Sequence, residues 1–202
     1  DTQTLEPLPP RYISSVDSGN LMGCLVVLAN ALEHTDGDAL VSPNLAHGLR
    51  DTARVLGEQM SEVDAPDPHA NLALAATLAE LDGLVADAAD HGGNLPVLHG
   101  LLARIEAEAI KLAQLVADNA IAGEFPEWTR ALARQATAAC EELDELAPWL
   151  GLGDCGSDDP TTRAWLAELE GNPTRARARE LAAAIAARLQ AEGADDLCAA
   201  LS

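Results

Sequence analysis

One spacing pattern constrains this chain more than any other. Leu98, Leu102, Ile105, Ala109, Leu112 and Val116 recur at alternating intervals of four and three residues. On an α-helix these positions fall on one stripe, and on a strand they would scatter over both faces. The stripe predicts a long helix from Leu95 to about Ile121, with a seam suited to an antiparallel helical partner. The preceding stretch supplies one. Leu74, Leu78, Leu81 and Val85 form a second stripe over Pro68–Asp90, and only His91-Gly92-Gly93-Asn94 separates the two. A short connection between two long helices makes them antiparallel neighbours.

Composition extends this to the whole chain. Of the 202 residues, 48% are hydrophobic, yet only 2% are aromatic. Alanine and leucine favour close helix–helix packing, whereas sheets draw on branched and aromatic residues. No stretch carries a clear strand pattern. The expected fold is all-α, with seven to eight helices in antiparallel hairpins, as a bundle or a partial α/α toroid.

The remaining helices read from their caps and breakers. Asp17 or Ser18 is the expected N-cap of a first helix running to about Glu33. Its residues from Leu21 to Leu28 are apolar on nearly every side, which predicts a central helix buried all round. Ser42-Pro43 opens a second helix, with Leu45, Leu49, Ala53 and Leu56 inward. A fifth begins at Glu124-Phe125-Pro126-Glu127-Trp128 and stops before Pro148. A sixth spans Pro160–Leu169. A seventh follows Asn172-Pro173, with Leu181, Ile185 and Leu189 inward, and a last short helix covers Ala194–Leu201. Residues 1–202 read as one helical domain: an extended, proline-rich lead-in over 1–17, a main bundle over 18–150 and C-terminal helices over 160–202.

Charge narrows the function. Thirty-three acidic residues against twelve basic ones give a net charge of −21. Such a surface repels phosphate backbones and anionic lipid heads, so neither nucleic acid nor direct membrane contact is expected. The uninterrupted apolar run Leu21–Ala29 is shorter than the roughly 20 residues a spanning helix needs. Cys24, Cys140, Cys155 and Cys198 form no paired motif, and reduced thiols are expected. His34, His47, His69, His91 and His99 show no metal-ligand spacing, so neither metal nor cofactor is expected.

Chemistry concentrates in the lead-in. Asp17 is the candidate catalytic or sugar-binding carboxylate, against a capping role that uses the same lone pairs. Arg11, Tyr12 and Asn20 are further candidate substrate contacts. For Arg11 and Tyr12 the favoured reading is an ion pair and a packed ring. Trp128, Trp149 and Trp165, at helical spacing, read as packing anchors rather than sugar platforms.

The stretch Asp1-Thr2-Gln3-Thr4-Leu5-Glu6-Pro7-Leu8-Pro9-Pro10-Arg11-Tyr12-Ile13-Ser14-Ser15-Val16-Asp17-Ser18-Gly19-Asn20-Leu21 resembles a motif of the cyclic β-1,2-glucan synthetases, very large proteins of the bacterial inner membrane. In that family the motif follows Asn-Trp-Tyr. Ala164–Leu189 resembles the family's arginine- and alanine-rich helical stretch. The resemblance implies a fragment lying between a glycosyltransferase that uses UDP-glucose and a glucoamylase-like region, ending before the family's Met-Asp-Phe motif. It implies a soluble, cytoplasmic portion of the parent, with the parent's other domains as partners and β-glucan as a second candidate. It assigns no catalytic residue. Three functions follow: a non-catalytic helical module positioning neighbouring domains or glucan, part of a glycan-processing cavity with Asp17 as acid or sugar ligand, or an acidic protein-interaction domain.

Overall fold

The computed structural model describes residues 14–63, 67–152 and 159–192. The chain divides into two compact units, Asp1–Asp38 and Ala39–Ser202.

The first unit contains α1 (Ser15–Thr35). Its cap is Ser14, in extended backbone, whose Oγ accepts from the Asp17 N–H at 3.2 Å. This corrects the expected cap at Asp17 or Ser18. Three good cappers lie close together, and the earliest takes the role, which leaves Asp17 in the first turn. Burial needs a second correction. The side chains from Ser15 to Leu32 are exposed, with Leu21 at 61% and Val27 at 69%. Apolar composition states a preference for burial, whereas burial itself requires a covering surface. The polar residues near the end of α1 bond to their own helix. Asn30 Nδ2 donates to the Val26 carbonyl, and Thr35 Oγ1 to that of Ala31, at 2.9 and 2.7 Å.

The second unit is built on four helices: α2 (Asn44–Gln59), α3 (Pro68–Asp90), α4 (Leu95–Asp118) and α5 (Phe125–Leu146). Each packs on the next, and α5 returns to α2, closing a four-helix bundle. Single 3-10 turns follow α2 and α5, at Met60–Glu62 and Pro148–Leu152. All six α4 seam residues are buried, as are Leu74, Leu78, Leu81 and Val85 of α3. Each large buried side chain contributes about 2 kcal/mol through lost apolar hydration.

Local chemistry sets the helix ends. Asp67 caps α3, Pro68 follows in its first turn, and Asn94 Oδ1 accepts from the Val97 N–H to start α4. Helix α4 ends earlier than the sequence suggested. Ala120 turns left-handed (φ +49°), and two backbone bonds, Ile121 N–H to the Val116 carbonyl and Ala120 N–H to that of Ala117, close a Schellman cap. Gly123 lies in the loop beyond with φ +89°.

Helices α6 (Pro160–Glu170) and α7 (Arg175–Glu192) form a hairpin. Its Leu169, Ala178, Leu181 and Ile185 join the buried core of the bundle. Asp159 caps α6, accepting from both the N–H and the Oγ1 of Thr162. The expected last helix, Ala194–Leu201, and the side chain of Leu189 lie outside the described residues. Trp149 is buried and Trp165 half-buried, but Trp128 is 36% exposed, which corrects its reading as a packing anchor. In α5 the inward stripe runs through Phe125, Thr129, Leu132, Ala136, Ala139 and Leu143, and Trp128 falls beside it.

Candidate functional site

Of the four candidate contacts, the structure places two. Asp17 and Asn20 stand on the first turns of α1, both exposed. Arg11 and Tyr12 lie outside the described residues. Asp17 contributes its backbone N–H to the cap, and the capping oxygen is Ser14 Oγ. No described cavity includes either residue.

The dominant feature around these residues is apolar. From Leu21 onward α1 presents Met22, Leu25, Val26, Leu28 and Leu32 to solvent on different faces. By length and composition Ser15–Leu32 is a helix that can cross a membrane. That corrects the sequence count, which took only the uninterrupted run and left out small, weakly polar residues such as Ser15 and Ser18. A core helix of a soluble protein passes the same test, so length and composition do not choose between the two.

The bundle has its own polar chemistry, part of it between helices. Thr52 Oγ1 of α2 donates to Gln135 Oε1 of α5 at 2.7 Å. Thr137 Oγ1 of α5 donates to Glu106 Oε1 of α4, also at 2.7 Å. Glu106 also meets the half-buried thiol of Cys140. Burial, then the nearby Glu106 carboxylate, push that thiol up to about 12, which suppresses its nucleophilic thiolate. Cys24 on α1 is free and exposed; Cys155 and Cys198 lie outside the described residues. Among the described residues no group of three or more His, Cys, Asp or Glu side chains gathers as a metal site. His99 Nε2 sits 3.0 Å from Asp144 Oδ1 and bridges α4 to α5 at the surface.

Sequence reasoning missed two arrangements. At one end of the bundle, Gln59, Glu62 and Val63 face Ile121–Phe125 across a cleft of about 290 Å³. Its acceptors come from the end of α2 and from the α4–α5 connection, two places no local pattern links. The second is Asn172, left-handed at φ +55°. Its side chain accepts from the Val41 N–H at 2.9 Å and donates to the carbonyls of Val41 and Gly92 at 3.0 and 2.8 Å. Beside it, Leu40 N–H donates to the Pro173 carbonyl at 2.8 Å, and Ala39 and Thr174 form an isolated antiparallel bridge. The Asn-Pro dipeptide reads as the start of α7, but nothing in it names the segments it ties.

No protein-family model matches the chain. No solved structure matches it either. A stretch of 64 residues, 31% of the chain, is 42% identical to the cyclic beta-(1,2)-glucan synthase NdvB of Rhizobium meliloti (strain 1021). The match covers 2% of that protein, so the chain spans a small fraction of the length of the curated relative it resembles. Over that stretch the chain is related to a cyclic β-(1,2)-glucan synthase.

Proposed function

We propose that this chain is a non-catalytic helical module of a cyclic β-1,2-glucan synthase-like protein, and that it positions neighbouring domains or the glucan. The local 42% identity to the Rhizobium meliloti synthase carries the reading. Two structural features support it. The bundle closes on its own buried seams, as a spacer or scaffold requires. Helix α1 adds an apolar surface, exposed on every side, of the kind that a larger protein covers when it packs. Asp17 and Asn20, on the exposed first turns of that helix, fit a peripheral role better than a reaction centre, which gathers its groups in a concave site. On this reading the module contacts no nucleic acid and is not itself a membrane anchor.

Exchange into the relative tests the proposal. The matched 64-residue stretch of the Rhizobium meliloti synthase is replaced by the corresponding residues of this chain, and cyclic glucan is quantified. The expected result is retained synthesis. Loss of glucan with normal protein accumulation would overturn the assignment to this protein class. Calorimetric titration of the isolated chain with β-1,2-linked glucose oligosaccharides, beside Asp17→Asn, separates the two positioning roles. Binding that Asp17→Asn abolishes assigns direct glucan contact. Absence of binding leaves domain positioning alone.

A further inference from the structure

We draw no further inference here: the strongest candidate, the apolar surface of α1 between Leu21 and Leu32, already belongs to the proposed function, and nothing in the structure shows what covers it.

Discussion

Removing the side chain of Asn172 should loosen the second unit far more than a half-buried loop residue normally does. The amide makes three hydrogen bonds, one to the Val41 N–H and two to the Val41 and Gly92 carbonyls. Each is worth about 1 kcal/mol net, and its loss leaves a backbone group without its partner. The backbone at Asn172 is left-handed, and alanine there costs about 1 kcal/mol more than asparagine, whose short polar side chain tolerates that region. Asn172→Ala should therefore destabilise by about 3–4 kcal/mol. Asn172→Gly loses the same bonds without the backbone cost and should fall about 1 kcal/mol short of the alanine variant. Urea unfolding followed by circular dichroism, and by the fluorescence of Trp149 and Trp165, measures both. If both variants unfold within about 0.5 kcal/mol of the parent, the tie contributes nothing and the reasoning fails. If they match each other while both are weakened, only the backbone part fails.

Three further outcomes follow from local features. Ala120→Gly should stabilise the chain by about 0.5–1 kcal/mol, since glycine takes the left-handed cap of α4 without steric cost; thermal unfolding reads the gain. In a chain with Cys155 and Cys198 replaced by serine, a thiol reagent at mildly alkaline pH should label Cys24 rapidly and Cys140 only on unfolding, and equal rates would contradict the packing around Glu106. At the acid end, the Thr162 backbone N–H chiefly, and then its hydroxyl and Arg188, hold the Asp159 carboxyl below its ordinary range. Its stabilisation is present above the unfolded value and lost as pH falls through the lowered one, so Asp159→Asn should flatten the acid limb of unfolding.

The parts of this fold that were legible in the sequence are those set by neighbours a few residues apart. Helix α3 matches its expected span, Pro68–Asp90, because Asp67-Pro68 can start a helix and Gly92-Gly93 can end one without reference to the rest of the chain. The α4 seam was legible because a helical stripe is a local property. What required the fold was illegible. Asn172 reaches Val41 across 131 positions, and no periodicity encodes that distance. Trp128 has the size of a core residue but sits one position off the inward stripe that Phe125, Thr129 and Leu132 define. For the candidate site, residue type alone brought Asp17 and Asn20 forward. Their placement in the first turns of α1 follows from Ser14 taking the cap.

Helix α1 opens within the stretch that resembles the synthetases, and its large apolar side chains are exposed. Leu21, Leu25, Leu28 and Leu32 are each half or more exposed, which forfeits about 1 kcal/mol apiece relative to burial. Gly19 and Gly23 each weaken the helix by about 1 kcal/mol relative to alanine, and Val26 and Val27 add smaller costs. An unsupported helix of 21 residues with these positions is marginal in water. Helix α4, with seven residues buried against its neighbours, is not. In the isolated chain, amide hydrogen exchange should therefore be fast throughout α1 and slow along the α4 seam, with α4 amides exchanging only on global unfolding. When α1 sits within a larger synthase-like protein, its protection should rise toward that of α4, because a covering surface supplies the missing burial. Slow exchange of α1 in the isolated chain would mean that the helix is already covered in solution, and the docking role proposed for it would then lose its physical basis.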